Sequence, residues 1–364
     1  MRILYGVVGE GMGHAIRSRV ILDELSKRHQ VQVVVSGRAY DYLKQRASEH
    51  LQVKKIWGLT IVAEDNEVSN FKTLLENAKN AITGGWPANV KAYFEVAEKF
   101  QPDVVISDFE SWSYLFAKNR GIPVISVDNI QMVNRCAHAK AITAGHEAGF
   151  QIAKGITKAK APGCFHYLIT TFFYPPIRKR RTSLHPSVLR PELLEARGEP
   201  GEHLLVYQTY TSNPQLVDQL QALGRECRVY GLRRELKAPV REGNLLYMPF
   251  SEKGFIDDLR TCKGVVATGG YTLMGEAVYL RRPMLAVPVA GQFEQVMNGR
   301  YLETSGYGKY ADQLSGEVLG EFLERTPEYA TNLQGYTQEG NVDLLTRLEI
   351  ELARAANGEK PEEE

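Results

Sequence analysis

The sequence predicts two α/β lobes, each a parallel sheet with helices on both faces, set opposite one another across a cleft. Three observations carry this. The first half alternates short β-branched runs with helical stretches, the rhythm stops in a proline-rich basic stretch, and it then restarts. Such a βαβ rhythm forces parallel strands and helical crossovers. At 364 residues, 43% hydrophobic and 24% charged, the chain also exceeds the size at which one core usually divides.

In the first half, strands are expected at Ile3 to Val8, Val31 to Ser36, Val104 to Ser107 and Val124 to Val127, with helices such as Ala15 to Arg28 and Ser113 to Arg120 between them. Pro175, Pro176, Pro186, Pro191 and Pro200, with the run Arg178-Lys179-Arg180-Arg181, mark residues 172–202 as the connection between lobes. The second half predicts strands at Leu204 to Gln208, Arg228 to Gly231, Leu245 to Met248, Val265 to Thr268 and Met284 to Val287. Helices are expected at Pro214 to Leu223 and Tyr271 to Leu280. The resulting division is 1–171 for the first lobe, 203–340 for the second, an amphipathic helix at 341–357, and a polar tail, 358–364, expected to be disordered. Two Rossmann-like halves of this kind collect ligands between the carboxyl ends of their sheets.

Lys plus Arg total 44 against 43 Asp plus Glu, a net charge of +1 that excludes a polyanion such as nucleic acid as the main partner. The first strand is too short and too soon followed by glycine to be a signal-peptide core, and no apolar run of about 18 residues occurs, so a cytoplasmic location is expected. Cys136, Cys164, Cys227 and Cys262 lie far apart with no C-x-x-C pair. They read as reduced, buried thiols and not as zinc ligands.

The first strand runs directly into Gly9-Glu10-Gly11-Met12-Gly13-His14, which opens a helix carrying Arg17 and Arg19. Alternate glycines permit close backbone approach by a ligand. The dinucleotide fingerprint G-x-G-x-x-G fails on spacing, because it would need glycine at His14 or at Ile16, and no G-x-x-x-x-G-K-[ST] is present. His14, at the tip of the first strand, faces the cleft by sheet topology, where an imidazole can accept a proton from a hydroxyl near neutral pH. Gly11, Gly13 and Arg17 fall beside it on the same side of the cleft.

A more specific stretch is Ala267-Thr268-Gly269-Gly270-Tyr271-Thr272-Leu273-Met274-Gly275-Glu276, followed by Pro283, Pro288, Gln292-Phe293-Glu294-Gln295 and Asn298. A strand ends, two glycines expose the backbone and a helix begins, so free amides and the positive end of the helix dipole point at an anion such as a diphosphate. Glu276 could accept hydrogen bonds from two adjacent ribose hydroxyls. Glu294 and Gln295 follow the next strand and could reach the hydroxyls of a hexose.

These residues together resemble the GT-B glycosyltransferases, especially the UDP-glycosyltransferases and the GlcNAc transferase of peptidoglycan synthesis. The opening G-E-G-x-G-H-x-x-R looks closest to a little-characterised microbial subgroup. The similarity covers nearly the whole chain, and Phe250 to Asn298 is its diagnostic part. The resemblance implies that 1–171 binds the acceptor and 203–340 the nucleotide sugar, with UDP the expected nucleotide. It implies that Gly269, Gly270 and the amides of Tyr271 and Thr272 cradle the diphosphate, that Glu276 holds the ribose, that Glu294 and Gln295 hold the sugar, and that the backbone around Met248 and Phe250 frames the base. Thr209 is the donor-side candidate of the loop Gln208-Thr209-Tyr210-Thr211-Ser212, where relatives often carry a G-G-S-type turn.

The implied reaction is an inverting hexosyl transfer with His14 as base and no cofactor or metal, the helix amides stabilising the leaving diphosphate. Asp108 is the preferred carboxylate to orient His14, and Glu110 is the other candidate. Their Asp-Phe-Glu pattern also reads as a metal motif of the other glycosyltransferase fold class, which lacks a second α/β half. Asp128, with Asn129, stands at the cleft edge, where a plain turn explains it equally well. The acceptor is a small molecule, glycan or lipid-linked hydroxyl. Lys154, Lys158 and Lys160 near Phe150, Ile152 and Ile156, with Trp86 in Gly84-Gly85-Trp86-Pro87, fit either peripheral contact with an anionic membrane or solvated helix faces. Two rivals stand beside this reading: a UDP-GlcNAc 2-epimerase-like isomerase, and a non-catalytic protein that binds nucleotide sugars.

Overall fold

The computed structural model describes residues 1–9, 11–58, 63–64, 67–68, 85–196, 200–208 and 215–363. Within them lie two seven-stranded sheets and one short hairpin. The first sheet holds β1 (Arg2–Val7), β2 (Gln30–Val35), β3 (Leu51–Lys55), β6 (Val104–Asp108), β7 (Val124–Asp128), β8 (His166–Thr170) and β9 (Thr182–His185). The hairpin is β4 (Ala63–Glu64) with β5 (Glu67–Val68). The first sheet is parallel throughout, in the order β3-β2-β1-β6-β7-β8-β9.

The second sheet holds β10 (Leu204–Tyr207), β11 (Cys227–Tyr230), β12 (Val240–Glu242), β13 (Leu245–Met248), β14 (Gly264–Ala267), β15 (Met284–Ala286) and β16 (Gly308–Tyr310). Its order is β12-β13-β11-β10-β14-β15-β16, with only β12 antiparallel. In each lobe the strand order reverses beside the first strand, between β1 and β6 and between β10 and β14. Such switch points open a crevice at the carboxyl ends of the strands. The carboxyl ends of β1, β6 and β14, which place His14, Asp108 and Gly269, therefore stand where a ligand would sit.

The central strands read as continuous apolar runs because helices cover both faces. Ile3, Leu4, Tyr5 and Val7 of β1 are fully buried and divide between two cores, one with Ile21, Leu22 and Val33, the other with Val34, Val105 and Phe116. Leu204, Val206, Val229, Leu285 and Phe322 build the outer core of the second lobe. A further core crosses between the lobes and joins Ile169, Phe172 and Phe173 to Tyr271, Met274, Phe293 and Val296. There Phe173 stacks on Tyr301 at 4.0 Å between centroids, and burial of aromatic area of this kind fixes the lobes against each other.

The structure adds to the expected division. The connection, 172–202, is not plain linker, since Thr182–His185 adds an edge strand to the first sheet. The helix Val342–Ala356 returns to the first lobe, where Leu344, Leu348, Leu352 and Ala355 enter the core under β1 and β6, and His185 Nδ1 lies 2.6 Å from Asp343 Oδ2. Along the tail, Glu359 accepts from Arg354, and the Glu362 carbonyl accepts from Arg181. All four cysteines are free and buried, and burial pushes the Cys136 thiol up to about 11. No helix among the described residues is long and apolar enough to cross a membrane.

Candidate functional site

Helix Met12–Leu25 follows β1 with Gly11 as its N-cap, and no side chain satisfies its first amides. Helix Tyr271–Tyr279 follows β14 with Gly270 as its N-cap and is likewise uncapped. The two open N-termini meet across the lobes: Thr272 Oγ1 donates to the Gly13 carbonyl at 3.2 Å. A Cβ on Gly13 would stand 2.7 Å from that hydroxyl, so the approach needs glycine. A Cβ on Gly269 would stand 2.3 Å from the Gln295 carbonyl, which fixes the loop after β14 against the helix Phe293–Thr304.

His14 lies at this junction with its side chain 18% exposed. Its Nδ1 is 2.7 Å from Asp108 Oδ1. A carboxylate only accepts, so the proton belongs on Nδ1 and the Nε2 lone pair is left for the cleft. Arg17 NH2 approaches the same Nδ1 at 3.0 Å, but two donors cannot bond, and its productive bond goes to Asp108 Oδ1. Ser18 Oγ donates to Asp108 Oδ2 at 2.8 Å. Burial alone would raise the Asp108 carboxyl; the Arg17 guanidinium and the His14 imidazole outweigh it and hold the group below the ordinary carboxylate range. Arg17 is itself buried beside this pair.

Glu294, in the first turn of the helix Phe293–Thr304, faces this cluster from the other lobe. Burial raises its carboxyl, against the pull of His14 and Arg17. The site therefore brings His14, Asp108, Glu294 and the amides after Gly270 together. Met248 and Phe250 stand at the end of β13, Phe250 with 68% of its surface open. Thr209, Tyr210, Thr211, Ser212, Glu10 and Gly84 lie outside the described residues.

Other candidates are engaged elsewhere. Glu110 is the N-cap of helix Ser111–Arg120 and accepts from the Trp112 and Ser113 amides at 2.7 and 2.6 Å, so its carboxylate serves the helix and not His14. Asp128 accepts from Ser126 Oγ and the Gln131 amide, a turn after a buried strand. Gln295 Oε1 accepts from the Val289 amide, and its Nε2 donates to Gln292 within the same loop. The Tyr271 ring turns into the interlobe core, where its hydroxyl pairs with Ser187 Oγ at 2.6 Å, leaving only its amide near the cleft.

Glu276 has a partner that local sequence patterns do not show. Arg190 Nε and NH2 donate to its two oxygens, each at 2.8 Å, and Arg190 NH1 also reaches Glu252 Oε1 at 3.2 Å. Arg19 from the first lobe bonds that same Glu252 oxygen at 2.9 Å and Glu192 at 2.7 Å. Burial raises the Glu276 carboxyl and Arg190 opposes it. These pairings run between residues 62 to 233 positions apart, so only the fold brings them together. The one signal in the sequence was Glu276 as the lone charge of an otherwise apolar helix.

Two facing α/β lobes with paired helix N-termini at one cleft define the GT-B fold. The chain belongs to glycosyl transferase family 1, whose sequence profile matches residues 1–327. That membership decides between transferase and isomerase. A protein of Methanosarcina acetivorans described as an uncharacterized glycosyltransferase is 20% identical over 389 aligned residues, covering 98% of this chain and 93% of its own. The structure of LpCGTa in complex with UDP matches with a TM-score of 0.62 at 14% identity, over 97% of this chain and 99% of that one. The glycosyltransferase VinC in complex with dTDP matches with a TM-score of 0.62 at 16% identity, over 98% and 100%.

Proposed function

We propose that the enzyme transfers a hexosyl group from a nucleoside diphosphate sugar, with UDP as the nucleotide, to an acceptor hydroxyl, with inversion and without a metal. The observation that carries this reading is the meeting of Thr272 with Gly13, which sets an uncapped helix N-terminus opposite the His14 imidazole. His14 Nε2 takes the hydroxyl proton as the acceptor oxygen bonds to the anomeric carbon. The bond from that carbon to the diphosphate oxygen breaks, and the electron pair leaves with the diphosphate toward the amides after Gly270. Glu294 accepts hydrogen bonds from the sugar. The UDP and dTDP complexes of similarly folded proteins support a nucleoside diphosphate as ligand. The four free, buried thiols support a reducing, cytoplasmic setting.

In this reading Glu276 binds the ribose only after its side-on pair with Arg190 opens, with Glu252 retaining the guanidinium. UDP is expected to stabilise the enzyme: at 100 times its Kd the gain is ~2.7 kcal/mol, read as a rise of several degrees in Tm. A nucleotide-sugar panel assayed in EDTA should give turnover, and dependence on added metal would overturn the metal-free mechanism. Glu276→Gln keeps the side-chain volume and should cost roughly 1.5–3 kcal/mol of UDP affinity by calorimetry. Unchanged affinity would remove Glu276 from the ribose site.

A further inference from the structure

Helix Glu147–Lys160 runs along one rim of the cleft. Near its start the Phe150 ring lies 5.3 Å from Phe293, the residue before Glu294. At its end Lys160 Nζ stands 4.7 Å over the ring of Phe109, the residue after Asp108. Phe150, Ala153 and buried Thr157 face inward. Helical spacing then turns Ala148, Ile152, Gly155, Ile156 and Ala159 outward, and all five are exposed. Ile152 is 64% exposed, Ile156 is 56% exposed, and nothing lies within 4 Å of a Cβ built on Gly155. A solvent-facing stripe normally carries charge, whereas here the apolar residues look outward.

Cations surround this stripe. Lys154, Lys158 and Lys160 flank it on the same helix, and from Asn129 to Pro191 the only acidic residue is Glu147, against ten lysines and arginines, of which Arg135 and Arg190 are buried. The chain as a whole is balanced at 44 to 43, so the excess is local. The loop after β8 adds Ile177, 47% exposed, and Arg178. Arg178 is tied to Asn134 at 3.2 Å, in the helix Met132–Arg135 that packs against helix Glu147–Lys160.

We propose that this face docks the enzyme on an anionic phospholipid bilayer, Ile152 and Ile156 entering the interface and the surrounding cations meeting the headgroups, so that the acceptor hydroxyl is collected at that surface. Exposed aliphatic tips ringed by unbalanced positive charge complement a negative interface on both counts. An acidic protein groove would leave the aliphatic tips no apolar layer to enter. The docking itself stands on the surface alone, and the delivery of the acceptor rests on the proposed reading of the cleft.

The test is co-flotation of the full chain with vesicles of equal parts phosphatidylglycerol and phosphatidylcholine, beside vesicles of phosphatidylcholine alone. The enzyme should float with the anionic vesicles and not the neutral ones, and the bound fraction should fall as salt is raised. Ile152→Ser with Ile156→Ser should lower binding at least tenfold, as should Lys158→Glu with Arg178→Glu, while UDP still raises Tm as in wild type. Wild-type protein that ignores anionic vesicles, or substituted protein that binds them as well as wild type, overturns the docking surface. Loss of UDP stabilisation in a wild-type enzyme that still floats would instead strike at the reading of the cleft.

Discussion

His14→Ala is expected to lower the rate of sugar transfer by a factor of about 10²–10⁴, the usual contribution of a positioned general base, while UDP affinity stays near that of wild type. The reason is geometric. His14 reaches the cleft from the first lobe, whereas the nucleotide is proposed to sit on the helix Tyr271–Tyr279 of the second. Asp108 holds the ring by Nδ1 at 2.7 Å, so Nε2 is the nitrogen turned to an acceptor. The imidazole is partly exposed and bears on no core, and its loss should leave the Tm nearly unchanged. Single-turnover rates with a competent donor, alongside UDP calorimetry, separate chemistry from binding. A variant that transfers sugar at the wild-type rate would remove His14 as base.

Asp108→Ala should do wider damage. The carboxylate is fully buried and neutralises Arg17, whose Nε already lacks a partner among the described residues. Removing it strands a buried guanidinium, which costs about 3–5 kcal/mol, and frees the imidazole to rotate. Asp108→Asn separates the two effects. It keeps the packing, but an amide that donates to Nδ1 would put the proton on Nε2, so transfer should fall at least 100-fold even where the protein folds. Because its partners hold the Asp108 carboxyl below the ordinary range, its stabilising contribution is full above the unfolded value near pH ~4. That contribution is lost as pH falls through the lowered value, so denaturation of wild type and Asp108→Asn should converge in acid. Equal stability of the two at pH 7 would contradict the buried pair.

The central strands of both sheets were legible as short apolar runs rich in Val, Ile and Leu, as at β1, β6, β10 and β14. Missed were edge strands such as β3, with Lys54 and Lys55, and β9, which reads Thr-Ser-Leu-His, because one open side removes the need for an apolar run. β8 escaped as well: it opens with His166 and Tyr167, whose polar groups are met by Ser183 on the neighbouring strand and by the Ala161 carbonyl just before β8. In the site, the glycine loops were readable because only glycine tolerates the approaches at Gly13 and Gly269. The carboxylates were not, because Asp108, Glu110 and Asp128 occupy similar places after neighbouring strands and differ only in which hydrogen bonds they make.

By itself the amino-acid sequence determined that two parallel α/β halves would form and which loops would lie at their switch points, since hydrophobic periodicity and glycine placement act over a few residues at a time. Tertiary structure decided the rest: that Glu110 caps a helix, that Arg190 closes on Glu276, that the last helix packs under the first lobe, and that Ile152 and Ile156 face outward. Each of those outcomes depends on groups dozens to hundreds of positions apart, whose pairing energy exists only once the core has brought them within bonding distance.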